Sequence, residues 1–164
     1  MNTILMPTMP TRSTKAGNST GFVYFEDKGS VLDAPIDVVW DFIMNDNEFH
    51  PQAHRGSLRN MKWKEVNEIT GEVTCEVVRG GRWMKMKARI TTIPPLARIT
   101  EELEDSHAGL KMVFLYTPKG NKTGIDVYVS APRAVADELR ETLAKAHQED
   151  VPMLRAFVRK RRQE

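Results

Sequence analysis

Three ionisable residues lie at positions where the surrounding pattern predicts apolar side chains. Glu101 stands between Ile99 and Leu103 in an alternating run, and His147 and Asp150 stand in the apolar stripe of a C-terminal helix. A buried carboxylate without a partner is costly, and burial raises its pKa towards the range where it can exchange a proton at neutral pH. We therefore predict that these three residues, the candidate catalytic residues, converge on the polar group of a ligand inside a cavity.

A purely structural interpretation of the same residues is also open. Asp150 can cap a helix that restarts at Val151, before Pro152. His147 can lie at the edge of the stripe and reach solvent, and a bulge can turn Glu101 outward. The sequence is compatible with both interpretations.

Histidine and cysteine give weaker signals. His50 and His54 have the i, i+4 spacing of a helical metal-binding pair, but Pro51 fits there in a first helical turn, which moves His50 off the shared face. No suitably spaced third ligand is evident, so the role of the pair stays open. The one cysteine, Cys75, lies in an apolar-alternating run typical of a buried, inert thiol. We expect no metal site and no cofactor.

Composition restricts the class of protein. A chain of 164 residues fits one domain, and 24 basic against 22 acidic residues give none of the imbalance typical of nucleic-acid binding. No apolar run is long enough to span a membrane, and the N-terminus lacks the pattern of a signal peptide. We expect a soluble cytoplasmic protein that neither inserts into a membrane nor binds nucleic acid; its oligomeric state is left open.

The helix that carries His147 and Asp150 is predicted from about Ala134 to Arg161. At about 1.5 Å per residue, it is long enough to cross a small domain. Residues centred on Leu143 form one apolar stripe along it: Ala136, Leu139, Ala146, Leu154 and Phe157. Such a stripe predicts a helix that lies over a core or a cavity.

The run that carries Glu101 belongs to a predicted meander. After a flexible arm over residues 1–20, the domain over residues 21–164 begins with a strand to Leu32, bent at Gly29. A short helix opens at Asp33 to Pro35, and a second is predicted at Glu48 to His54. Six alternating runs separated by turn signals follow: Leu58 to Ile69, Gly71 to Arg79, Arg82 to Ile93, Ala97 to Asp105, Gly109 to Thr117 and Thr123 to Ala131. Short links make the neighbouring strands antiparallel.

One face of these strands is apolar and should face the helix. Its side chains include a soft, methionine-rich set that suits an irregular hydrophobic ligand, although ordinary core filling explains it as well. The predicted ligand-binding residues are Trp63, Met84, Met86, Glu101, Met112, Phe114, Tyr116, Leu143, His147, Asp150 and Leu154.

The stretch from Gly29 to Ile43, GSVLDAPIDVVWDFI, resembles the opening of the START-like, or SRPBCC, superfamily. That superfamily includes polyketide cyclases, birch-pollen-allergen-like proteins and lipid-transfer domains. The resemblance covers about residues 21–161. It implies an α+β helix-grip fold, in which a curved antiparallel sheet of about seven strands wraps around a long C-terminal helix, with two short helices after the first strand. It also implies a cavity between sheet and helix, but no single ligand or reaction.

Three functions are compatible with these features. The first is the binding of a small hydrophobic or aromatic molecule, lipid or polyketide-like, in the cavity. The second is catalysis of the cyclase or dehydratase kind, in which Glu101, His147 or Asp150 moves a proton. The third is a protein-interaction module that uses the outer sheet face and the N-terminal arm.

Overall fold

The computed structural model describes residues 21–44 and 58–163, except for the side chains of Ser106, Ala146, His147 and Asp150. The predicted arm at residues 1–20 and the predicted second helix at Glu48 to His54 lie outside the described residues. The first strand, β1, is Phe22–Leu32, and the helix α1 follows at Ile36–Met44. Pro35 precedes this helix and its carbonyl accepts from the amides of Val38 and Val39, as expected for proline at a helix start.

The remaining strands form an antiparallel meander. They are β2 (Leu58–Glu65), β3 (Thr70–Arg79), β4 (Arg82–Ile93), β5 (Ala97–Glu102), β6 (Lys111–Lys119) and β7 (Lys122–Pro132). The strand order in the seven-stranded sheet is β1-β7-β6-β5-β4-β3-β2. The first strand therefore pairs with the last, and β1 and β2 are the two edges.

Both edge strands are irregular. The pairing of β1 with β7 shifts between Asp27 and Ser30, where Gly29 has a φ of 82°; this is the bend that the sequence predicts. The pairing of β2 with β3 shifts between Arg59 and Lys62, and Asn60 there has a φ of 54°.

The C-terminal helix, α2, covers Ala136–Gln163 and follows a 3-10 helix at Arg133–Val135. It begins and ends within two residues of the predicted bounds. Pro152 lies inside it, so the helix does not restart at that point.

Two packed clusters hold α2 against the inner face of the sheet. Near its start, Ala136 and Leu139 pack on Leu110, Val129 and Ala131. Near its end, a second cluster joins α2, α1 and the sheet: Leu32, Ala34, Val39, Phe42, Ile43, Tyr116, Leu154 and Phe157. The rings of Phe42 and Phe157 lie 5.7 Å apart. Between these two clusters the helix has Leu143 and Ala144, where a cavity lies.

Candidate functional site: a cavity between sheet and helix

A cavity of about 940 Å³ lies between the inner face of the sheet and the middle of α2. Its walls come from all seven strands, from the end of α1, and from Arg140, Leu143 and Ala144 of α2. Protein interiors are normally packed with few voids larger than a water molecule. A space of this size falls in the range of small-molecule binding sites.

Most of the wall is apolar. Val73, Ala88 and Ile90 form a small cluster on the sheet, with Met61 and Met86 packed against it. Phe25, Val127 and Val129 continue the apolar wall on β1 and β7. An apolar ligand would therefore exchange water for hydrocarbon over most of its surface.

The structure brings six of the predicted ligand-binding residues to this cavity: Trp63, Met86, Met112, Phe114, Tyr116 and Leu143. Two others do not line it. Met84 lies further along β4, opposite Val77, and Leu154 is buried in the cluster that α2 makes with α1. Ligand binding by the six remains a prediction, but the placement of Met84 and Leu154 in the cavity wall is wrong.

Glu101 lies on the outer face of the sheet, against the prediction. It pairs with Arg89 on β4 and with Lys111 on β6, and these residues belong to the outer face. The inner face of β5 has Arg98, Thr100 and Glu102 instead, because Glu102 lies opposite the fully buried Ala88. The inward placement of Glu101, with its role in the cavity, is therefore wrong.

The other two candidate catalytic residues lie in α2, one and two turns after Leu143. The side chains of His147 and Asp150 lie outside the described residues. The course of the backbone nevertheless decides whether Asp150 caps a helix. Because α2 runs from Ala136 to Gln163 through this position, Asp150 does not lie at a helix N-terminus and does not cap one.

The buried carboxylate is Glu102. It is 4% exposed, and both of its oxygens accept from Nη2 of Arg79 at 2.7 Å. Burial raises the pKa of Glu102, whereas the charge and hydrogen bond of Arg79 lower it. The pair lies outside the cavity wall, at the end of the sheet where α2 begins.

A polar cluster continues around this ion pair. Arg79 also contacts Sδ of Met86 at 3.6 Å. The amide of Gly80 donates to Glu138 of α2 at 3.0 Å. The buried His107 lies in a 3-10 helix, Asp105–His107, between β5 and β6. These contacts join the β3–β4 turn to the helix start.

Cys75 lies in the cavity wall and is 5% exposed. Burial raises the pKa of its thiol to about 11, so the group is protonated at neutral pH. A protonated thiol is a poor nucleophile. The prediction of a buried thiol is confirmed.

Sequence reasoning missed a polar patch on the inner wall, formed by Thr92, Arg98 and Thr100. All three line the cavity. Thr92 is paired directly with Arg98 across β4 and β5, and Thr100 is the next residue on the same face. The signal was present as the period of two from Arg98 to Glu102, but the alternate residues of this run, with Glu101, were predicted to face inward.

The cavity meets solvent beside the β2–β3 hairpin and the end of α1. Three of its apolar lining side chains are exposed there: Met44 (53%), Trp63 (44%) and Ile69 (46%). The indole of Trp63 lies across Gly71, where an added Cβ would be 2.1 Å from its Cζ2 atom. Two exposed carboxylates of the same hairpin, Glu65 and Glu68, also line the cavity.

Metal binding has no support in the part of the chain that the structure covers. Within residues 21–44 and 58–163, no group of three His, Cys, Asp or Glu side chains is arranged to hold a metal ion. His50 and His54 lie outside the described residues. None of the described helices combines the length and the apolar character that crossing a membrane requires.

Similar solved structures share this architecture at low sequence identity. One is the di-domain ARO/CYC StfQ from the steffimycin biosynthetic pathway, with 12% identity and a TM-score of 0.68 over 88% of this chain and 53% of that one. A second is Ara h 8.0201, with 14% identity and a TM-score of 0.67 over 85% of this chain and 99% of that one. A third is norcoclaurine synthase from Thalictrum flavum, with 11% identity and a TM-score of 0.63 over 93% and 98%.

The chain spans about half the length of the di-domain structure. No family model and no curated protein matches the sequence. At these identities the likeness concerns the fold, and at that level the resemblance noted in the segment from Gly29 to Ile43 is confirmed. With a seven-stranded antiparallel sheet against one long C-terminal helix, this chain has a helix-grip fold.

Proposed function

We propose that the protein binds a small hydrophobic or aromatic molecule in the cavity between sheet and helix, for transport, sensing or sequestration. The observation that carries this proposal is the cavity of about 940 Å³ with a mainly apolar wall. Leaving such a wall unoccupied forfeits the packing contacts of its side chains. A ligand restores those contacts and removes its own apolar surface from water.

The similar structures support a ligand of this class. The norcoclaurine synthase structure is a complex with dopamine and hydroxybenzaldehyde, two small aromatic molecules. The opening beside Trp63 and Ile69 gives a ligand an apolar route from solvent to the cavity.

The test uses a neutral dye, N-phenylnaphthylamine, whose fluorescence increases in apolar surroundings. We expect the folded wild type to bind it and Leu143→Trp to lose that binding, because the indole fills the space beside the helix. Since filling a void costs less than overpacking a tight core, Leu143→Trp should keep nearly the wild-type free energy of unfolding.

The matched control is Leu139→Trp, one turn earlier on the same helix. Leu139 is buried in a packed cluster and does not line the cavity, so the larger side chain should lower the free energy of unfolding by about 1–3 kcal/mol. If Leu143→Trp is as destabilising as Leu139→Trp and no dye binds to wild type, the interior is solid and the proposal fails.

An enzyme of the cyclase or dehydratase kind is the second candidate. It is favoured by the polar groups on the inner wall and by the position of His147 and Asp150 in the stripe of α2. Dye binding titrated from about pH 5 to about pH 8 compares wild type with His147→Gln and Asp150→Asn, and Glu101→Gln is the outer-face control. A shift in either helix variant supports a proton-exchanging group at the cavity; superimposable curves remove this candidate.

A further inference from the structure

The polar patch of Thr92, Arg98 and Thr100 lies inside an otherwise apolar wall. Arg98 is half-buried and belongs to β5, the central strand of the seven. Its flanking neighbours on the same face include Phe114, directly opposite it on β6. A charged residue on such a wall is costly to keep away from water, which makes it a functional candidate.

We infer that this patch holds the carboxylate of an amphipathic ligand whose apolar body fills the cavity, an inference that rests on the proposed binding function. The planar guanidinium of arginine matches a carboxylate through two parallel hydrogen bonds. The guanidinium has five N–H donors, more than a single carboxylate can take. The hydroxyl of Thr100, the next residue on the same face, adds a donor for the same head group.

The register brings these groups within reach of one head group. Thr92 and Arg98 face each other as a directly paired couple, and side chains so paired have Cβ atoms about 4.5–5.5 Å apart. The hydroxyl of Thr92 donates its hydrogen to the carbonyl oxygen of Ile69 at 3.3 Å, so Thr92 is held beside Arg98 as part of the wall and is not a donor to the ligand. Thr100 follows Arg98 on the same face and lies opposite Ile90 and Met112, where the apolar body begins.

The other charges along the cavity do not offer the same site. Among the described lining residues, the second cation is Arg140, which is exposed and whose guanidinium lies 4.6 Å from the centre of the Phe25 ring. The lining carboxylates, Glu26, Asp27, Glu65 and Glu68, are exposed, so water and salt screen them. Of the two cations among the described lining residues, Arg98 is therefore the one that is partly withdrawn from solvent.

The experiment measures displacement of N-phenylnaphthylamine by matched pairs of competitors. Lauric acid and dodecanol share one alkyl chain, and naphthylacetic acid and naphthylethanol share one aromatic body. We expect the wild type to prefer each acid over its alcohol by about tenfold or more, the effect of a charge-assisted hydrogen bond. Which pair binds more tightly distinguishes an aliphatic from an aromatic ligand.

Three variants assign the preference to a residue. Arg98→Gln should abolish the preference for the acid and leave the affinity for the alcohol nearly unchanged. Arg140→Gln tests the second cation, and Arg89→Gln, on the outer face of β4, controls for the loss of one positive charge. Both should keep the preference.

The outcomes separate this inference from the proposed function. Dye binding without any preference for the acids, or a preference that survives Arg98→Gln, overturns the carboxylate site and leaves the binding function standing. A preference lost in Arg140→Gln instead overturns the assignment to Arg98. Absence of all dye binding overturns the proposed function and this inference together.

Discussion

His107 is a buried histidine whose ionisation is linked to folding. It is 5% exposed. Burial first, and then the charge of Arg79, lower its pKa below the ordinary 6.5, whereas Glu138 raises it. The folded protein therefore favours the neutral imidazole, and the unfolded chain takes up the proton at a higher pH.

We predict that acidification from about pH 7.5 to about pH 5.5 lowers the free energy of unfolding more in wild type than in His107→Gln. The contribution of the neutral imidazole is fully present above the unfolded pKa of 6.5 and is lost as the pH falls through it. Urea unfolding at several pH values measures this difference. Equal losses in the two proteins would contradict the prediction.

Glu102, which is present in both proteins, has an effect of the opposite sign. Burial raises the pKa of Glu102 from its ordinary 4.5, so the folded state takes up that proton first and gains stability as the pH falls. Because the other histidines titrate in both proteins, their contributions cancel in the comparison.

Glu101 and Glu102 show the limit of sequence reasoning at this scale. The apolar Ile99 and Leu103 indicated an inward face that included Glu101. The alternation between the two faces of the strand was predicted correctly, but the face predicted to point inward is the outer one. Ile99 lies on the outer face beside Val113, which is itself buried. Glu102 is tolerated inside because Arg79, more than twenty residues earlier, is its partner, and no local pattern announces a partner so far away in the chain.

The β2–β3 hairpin links Trp63 to the mouth of the cavity at the level of elements. The indole lies over Gly71, and these two residues belong to neighbouring strands. We predict that Gly71→Ala displaces the indole, because the new Cβ would otherwise lie 2.1 Å from it. Dye affinity and tryptophan emission should change, with a destabilisation of about 1 kcal/mol.

Gly124→Ala is the matched control, since Gly124 is also a buried strand glycine. Its added Cβ would meet the flexible end of Lys119 at 2.9 Å, and that side chain can move at little cost. Unchanged emission and dye binding in Gly71→Ala would mean that the indole does not shape the mouth.

The elements themselves could be predicted because their signals are local. These signals are the alternation of apolar and polar side chains along the strands, turn residues such as Gly80 and Gly81, and Pro35 before α1. Each of them acts within a few residues. The strand Arg82–Ile93 and the helix Ala136–Gln163 therefore match or nearly match their predicted bounds. The space between elements is not local, which is why Met84 and Leu154 were wrongly placed in the cavity wall.

At the scale of the whole molecule, the cavity lies between two places where α2 is packed in buried clusters. Its first turns pack on Leu110 and Val129, and its later turns pack on α1 through Phe157. The apolar stripe of α2 predicted only that this face of the helix lies over a core or a cavity. The space under Leu143 was implied by the resemblance to the START-like superfamily and depends on the curvature and depth of the assembled sheet.

The irregular edges of the sheet bear on how the protein behaves at high concentration. Edge strands offer unpaired amides and carbonyls to other chains and are a common start of aggregation. Here the β1 bulge directs the amide of Gly29 to Asp126 at 2.9 Å. On β2, Arg59 and Asn60 are bound to Glu76, which holds the bulge in place.

We predict that removing the β2 bulge and its charges promotes association between chains. In the triple variant Asn60→Val, Lys62→Val and Lys64→Val, a β-branched residue disfavours the positive φ of Asn60, and the straightened edge loses its lysines. Light scattering against concentration, with thioflavin T fluorescence, should show assembly that wild type lacks at equal concentration. The same scattering curve for both proteins would mean that the bulge protects nothing, and that a growing sheet is blocked elsewhere on the molecule.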